Sequence, residues 1–136
     1  MDFVDMHVHS TASDGTLSPR DVTSLAAMKG LRAIALTDHD TMAGVPEAGE
    51  AGELLNVTII PGIEVSTDYG GTEIHILGYF LDPDAPKLRD YVTWVREQRL
   101  GRIEAMAGRL QKKGFPITME ELERRHPGAT PGRPHL

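Results

Sequence analysis

The chain has 136 residues, 40% of them hydrophobic and 25% charged, with a formal net charge of -6, a composition that fits a folded domain with one core and excludes collagen-like or disordered segments. Zero cysteines exclude disulfides, thiolate metal sites and a cysteine nucleophile, so any metal must sit on His, Asp or Glu. The acidic balance speaks against coating nucleic acid along many phosphates, and no apolar run approaches the roughly 18 to 20 residues of a membrane span.

The first residues, Met1-Asp2-Phe3-Val4-Asp5, lack the basic and apolar regions of a signal peptide, and a cytoplasmic location is expected. Residues 2–8 alternate, with Phe3, Val4, Met6 and Val8 among polar neighbours, which predicts a strand. Ser18, Pro19 and Asp21 mark a helix start, and Val22, Leu25, Ala26 and Lys29 lead to a glycine stop at Gly30. Residues 31–37 read as a buried strand, 45–55 as a helix, 57–63 as a second buried strand and 73–80 as a third, with Gly70-Gly71 turning between the last two. The alternation of strand-like and helix-like segments predicts βαβ units in an α/β fold.

After Asp82-Pro83-Asp84 the pattern turns helical over residues 87–113, and Thr118-Met119-Glu120-Glu121 opens another helix in the manner of a capping box. A subdomain boundary is therefore expected near residue 83, separating 1–83 from 84–136. Residues 130–136 read as a loop rather than a finished element, so the chain looks interrupted.

The chemistry collects at strand ends. His7 and His9 lie two apart on a strand and project from one face, with Asp14 in the loop that follows; an ordinary pair of edge-strand histidines would look the same. Thr37-Asp38-His39-Asp40 puts three ionisable groups where an apolar strand emerges, His39 as a ligand candidate and Asp40 also as a candidate cap for the next helix. The next strand ends in Glu64, and His75 stands between Ile74 and Ile76, where an unpaired ring would be costly. In a parallel α/β barrel the C-terminal strand ends share one face, so His7, His9, Asp14, His39 and Glu64 can converge there and His75 can join them. Six such residues exceed what one tetrahedral ion uses, which predicts two or more ions of zinc, manganese or ferrous iron and suits phosphate ester hydrolysis.

In the long helix, Leu88, Val92, Val95, Met106 and Leu110 form an apolar stripe that Arg99 and Arg102 interrupt. Both arginines are expected to face inward, toward a bound anion or toward protein, with Glu97 or Glu104 as alternative partners. Arg133 and His135 allow the same two readings.

Asp5-Met6-His7-Val8-His9-Ser10 with Ser13-Asp14-Gly15, then Thr37-Asp38-His39-Asp40, then Gly62-Ile63-Glu64-Val65-Ser66 and Ile74-His75-Ile76-Leu77-Gly78-Tyr79 resemble, in order, the motifs of the polymerase and histidinol phosphatase (PHP) family. Arg99, Arg102 and Gly132-Arg133-Pro134-His135 resemble its branch of small phosphoesterases that act on nucleotides. The resemblance implies the N-terminal portion of a distorted (β/α)7 barrel, with a small helical insertion starting near residue 83 and up to three metals, manganese the expected activator. It implies that His7 and His9 hold one ion, Asp14 and His39 a second, and Glu64 with His75 a third, Glu64 bridging; that His39 and Glu64 serve catalysis; and that Arg99, Arg102, Arg133 and His135 contact substrate. The implied substrate is a phosphomonoester of a nucleotide, such as a nucleoside 3',5'-bisphosphate, or the 5' end of a short RNA.

The family's later motifs, a His-Pro pair and a final Asp-x-His that complete the metal shell, are expected to lie beyond residue 136. That sets a truncated, non-catalytic metal- or nucleotide-binding module beside the enzyme reading, with a histidinol-phosphate phosphatase or a polymerase-associated proofreading domain as readings within the family. A sheet of about four strands would also leave an open edge suited to pairing with another copy.

Overall fold

The computed structural model describes residues 3–136; Asp2, which the alternation placed in the first strand, lies outside them. One sheet holds four strands in the order β1 (Phe3–Val8), β2 (Leu31–Leu36), β3 (Thr58–Tyr69) and β4 (Thr72–Tyr79). Helices α1 (Pro19–Met28) and α2 (Val45–Leu55) make the crossovers, and α3 (Pro86–Gln111), α4 (Met119–Arg125) and a 3-10 turn at Arg133–His135 follow. β1, β2 and β3 run parallel, while β4 returns antiparallel to β3. The result is a curled, mostly parallel half-barrel flanked by helices, the α/β class expected.

Local chemistry explains the crossovers. The Ser18 hydroxyl accepts from the Asp21 amide at 3.1 Å and Pro19 takes the first turn of α1, where its missing N–H costs nothing. Gly30, at φ 72, turns the chain into β2. Val22 and Ala26 of α1 then pack on Ile34 of β2 and Val57. On α2 the sheet-facing positions are Ala48, Ala51 and Gly52, and a Cβ at Gly52 would lie 2.5 Å from the Val57 carbonyl. Small residues let this helix seat closely against the start of β3.

Three expectations need correction. β3 does not stop at Glu64 but continues to Tyr69, because Gly62 to Tyr69 pair with Tyr79 to Thr72 in a hairpin that satisfies the backbone of a polar stretch. Ile74 and Ile76 are exposed rather than buried, so His75 stands on an open strand. In α3 the buried seam runs through Val95, Ile103 and Ala107, whereas Leu88, Val92, Met106 and Leu110 are only half-buried. That seam passes through half-buried Arg99 and misses Arg102, which is exposed. No described helix is long and apolar enough to cross a membrane.

Candidate metal centre

Parallel strands bring the expected residues together. β1 delivers His7, and His9 follows one residue past its end; an isolated parallel bridge between His39 and Glu64 extends the β2–β3 ladder beyond β2; and the β3–β4 hairpin sets His75 across from Ser66, two positions from Glu64. Glu64, 5% exposed, is the hub. Its Oε2 lies 2.8 Å from His7 Nε2 and 2.8 Å from His9 Nε2, and its Oε1 lies 2.7 Å from His75 Nδ1. Asp14 Oδ1 is 3.1 Å from His9 Nδ1, and Asp14 Oδ2 is 3.8 Å from His39 Nε2. The rings of His7, His9, His39 and His75 follow one another with centroids 4.7 to 5.0 Å apart.

The electrostatics suit cation binding. Burial alone would raise the Glu64 carboxyl, but hydrogen bonds from His7 and His75 and the nearby His39 ring hold it below its ordinary value, so it stays anionic. Burial lowers His39 and outweighs the attraction of Glu64 and Asp14, which keeps the imidazole neutral, the form that ligates. His75 goes the other way: burial would lower it, but bonds to Glu64 and Glu73 raise it.

Whether a metal fits can be judged from two observations. His39 Nδ1 is buried without a hydrogen-bond partner among the described residues, an arrangement that costs free energy unless something binds there. In addition, ligand atoms of His7, His9 and Glu64, of His9, Asp14 and His39, and of His39, Glu64 and His75 each lie within 4.8 Å of one another. These nitrogen and carboxylate sets suit zinc, manganese or iron, and the six residues can hold divalent cations.

A buried carboxylate supports the loop that carries Asp14. Asp38, 1% exposed, accepts from the Ser10 amide, the Ser10 hydroxyl and the Ser13 hydroxyl, each at 2.7 Å. The same loop turns so tightly at Gly15 that a Cβ there would sit 2.7 Å from the His9 carbonyl oxygen and 2.8 Å from the Ser10 carbonyl carbon. Backbone at that distance must shift, so Gly15→Ala is expected to weaken cation binding about tenfold or more while the core remains folded. Calorimetric titration with Mn2+ beside a thermal melt checks this; an unchanged affinity would show that the loop tolerates the shift.

A cleft of about 300 Å3 opens beside the cluster, lined among others by Asp14, His39, His75, Arg99, Arg102 and Arg133. Three of the four residues expected to contact substrate thus line the cleft, in different states. Arg99 is bound to the buried Asp40, not to Glu97 or Glu104. Arg102 is exposed at the rim, and Arg133 pairs with Glu73 at 2.6 Å. His135 accepts the Gly132 amide on Nδ1 at 3.0 Å, and its ring faces the Ser13 backbone. Burial and neighbouring His126 lower its pKa, so it latches the last turn to the Ser13 loop as a neutral ring.

Asp40 does not cap α2; Gly44 occupies that position. Asp40 instead bonds the Tyr91 hydroxyl at 3.2 Å, and burial followed by the Asp40 charge pushes the Tyr91 phenol up to about 12 from 10.0. Because the folded pKa is raised, this contribution to stability is complete below pH 10 and is lost as pH rises through about 12. Denaturant titrations across that window should show a steeper loss for wild type than for Tyr91→Phe; parallel curves would mean that the phenol is not held. Asp38, Glu73 and Tyr91 are not singled out by the sequence, since Ser13, Arg133 and Asp40, with which they pair, lie 25 to 60 residues away. The one local hint was that two acids flank His39.

Comparison with known proteins agrees with this geometry. The PHP domain model matches residues 5–99. The chain is 39% identical to a 5'-3' exoribonuclease of Haemophilus influenzae over 112 residues, 82% of this chain and 41% of that protein. It is 38% identical to a 3',5'-nucleoside bisphosphate phosphatase of Chromobacterium violaceum over 112 residues, 82% of this chain and 39% of that one. A solved structure from Bifidobacterium adolescentis, assigned by inference as a metal-dependent phosphoesterase, superposes with a TM-score of 0.92 at 33% identity, covering 99% of this chain and 48% of that one. The chain therefore spans less than half the length of these relatives. With the family model spanning the ligand cluster and the fold superposing over nearly every residue, the chain belongs to the PHP domain family.

Proposed function

We propose that the chain carries the site of a divalent-cation-dependent phosphoesterase that hydrolyses a phosphomonoester of a nucleotide, a nucleoside 3',5'-bisphosphate being the lead substrate and the 5' end of a short RNA the next. The observation that carries this reading is one buried carboxylate, Glu64, with three imidazoles at 2.7 to 2.8 Å beside an arginine-bearing cleft. His7, His9, Asp14, His39, Glu64 and His75 would hold the cations, with Glu64 placed to bridge. When bound, such ions polarise phosphoryl oxygens and make water acidic enough to react near neutral pH; manganese is the ion we expect.

The remaining steps fall to the chain's own groups. Arg102 and Arg133 supply exposed positive charge at the rim for the outer phosphate oxygens. His39, neutral and with its buried Nδ1 unpartnered among the described residues, can hold either a cation or a proton there. The two substrate readings follow the two named relatives, one acting on bisphosphates and one on RNA.

The test is metal content of the purified chain together with phosphate release from adenosine 3',5'-bisphosphate, with and without Mn2+, by wild type and His7→Ala. Release that requires both Mn2+ and His7 supports the enzyme reading. Bound metal without release would favour the second reading, a metal-binding module without turnover.

A further inference from the structure

Asp40 has no part in the metal sets, yet it is the most heavily bonded acid beside them. It is 0% exposed and sits at φ 53, a left-handed backbone that Asp and Asn tolerate better than other side chains. Its Oδ1 accepts from the Ser66 amide at 2.9 Å and the Tyr91 hydroxyl at 3.2 Å. Its Oδ2 accepts from Arg99 Nε at 2.7 Å and Arg99 Nη2 at 2.6 Å. Arg99 Nη2 also donates to the Ser66 hydroxyl at 2.6 Å. One carboxylate thus joins the end of β2, the middle of β3 and the long helix α3.

We propose that Asp40 is the positioning residue for Arg99, orienting its guanidinium so that the Nη1 edge is presented to a phosphate group in the cleft; this rests on the phosphoesterase reading above. A guanidinium is planar, so fixing Nε and Nη2 fixes the direction of Nη1. That edge makes a long contact, 3.3 Å, to the Pro131 carbonyl. A phosphate oxygen offers a charge-assisted bond of about 2.7 to 2.9 Å in its place. Arg99 also lines the cleft with Asp14 and His39. The arrangement divides one side chain between two tasks: two nitrogens dock α3 onto the strand ends, and the third faces the ligand. Arg102, three residues on, inherits its place at the rim from the same docking.

A lysine could neutralise Asp40 but, as a point charge, could not present a second fixed edge. Asparagine keeps the size and the backbone conformation of Asp40 but removes the charge. The experiment is therefore calorimetric binding of adenosine 3',5'-bisphosphate in the presence of Mn2+ to wild type, Asp40→Asn, Arg99→Lys and the double variant, with Mn2+ binding alone measured for each. Either single variant is expected to weaken the nucleotide about 10- to 100-fold while leaving the Mn2+ affinity unchanged, and the double variant is expected to be no weaker than the singles. A merely structural role would move both affinities together. As a readout without ligand, the Arg99 Nε–H resonance should exchange slowly with solvent in wild type and rapidly in Asp40→Asn. The proposal is overturned if Asp40→Asn binds the nucleotide like wild type, if the losses add, or if Arg99 Nε–H exchanges equally fast in both. If wild type fails to bind the nucleotide while Arg99 Nε–H stays protected, the substrate reading falls and takes the presentation of Nη1 with it.

Discussion

Glu64→Gln is expected to lower divalent-cation affinity more than about a hundredfold, beyond the roughly 10- to 100-fold that losing an outer partner of a metal ligand costs. The carboxylate stands within 2.8 Å of nitrogens on His7, His9 and His75 and belongs to two of the three ligand sets. Its removal therefore affects two ions at once, where loss of His7 affects one set. Glutamine keeps the shape and still offers one carbonyl oxygen, but it contributes no charge to offset the ions.

The measurement that separates this from misfolding is the thermal shift caused by Mn2+. A ligand at 100 times its dissociation constant stabilises a fold by about 2.7 kcal/mol, on the order of 10 °C for a chain of this size. Wild type should show that shift and Glu64→Gln should show a much smaller one, from the His9, Asp14 and His39 set alone, while their melting points without metal stay within a few degrees of each other. Equal shifts in the two proteins would mean that the cation is held elsewhere, and the cluster would lose its claim to be the centre.

Much of this centre was legible from local pattern. His7, His9 and Asp14 follow from two-residue strand periodicity and the loop after it, and His39 stands where an apolar run breaks. Glu64 and His75 were legible as residues but not in their setting, because the sequence reads the end of an apolar run as the end of a strand. Antiparallel pairing with β4 across the Gly70-Gly71 turn carries β3 five residues further, through a polar stretch that becomes strand by that pairing and not by an apolar run of its own. The arginines show the same limit from the other side. Helical periodicity put Arg99 and Arg102 on one inward face, yet the buried acid that claims Arg99 lies 59 residues earlier, and Arg102 falls just off the packed seam at Ile103. Similarly, no local pattern marks Ser10 and Ser13, both buried, as donors to Asp38.

That serine–aspartate arrangement supports the second large prediction. Asp38→Ala is expected to destabilise the fold by about 3 to 5 kcal/mol, because it strands buried donors on Ser10 and Ser13 and opens a cavity where β2 leaves the sheet. Asp38→Asn should cost less, roughly 1 to 2 kcal/mol. Its oxygen can keep the Ser10 amide and the Ser13 hydroxyl on the Oδ1 side, while its amide replaces Oδ2 facing the Ser10 hydroxyl, which already accepts from Ala12 and can rotate to accept again. Denaturant unfolding gives both values. The functional consequence should differ among the ligand sets: the loop held by Asp38 carries Asp14, so Asp38→Asn should weaken the cation bound by His9, Asp14 and His39 more than the one bound by His39, Glu64 and His75, which rests on the β3–β4 hairpin. A two-site Mn2+ titration would then keep one phase and lose affinity in the other. If both phases weaken equally, Asp38 acts through the fold as a whole, and the Ser10–Asp14 loop has no separate hold on its ion.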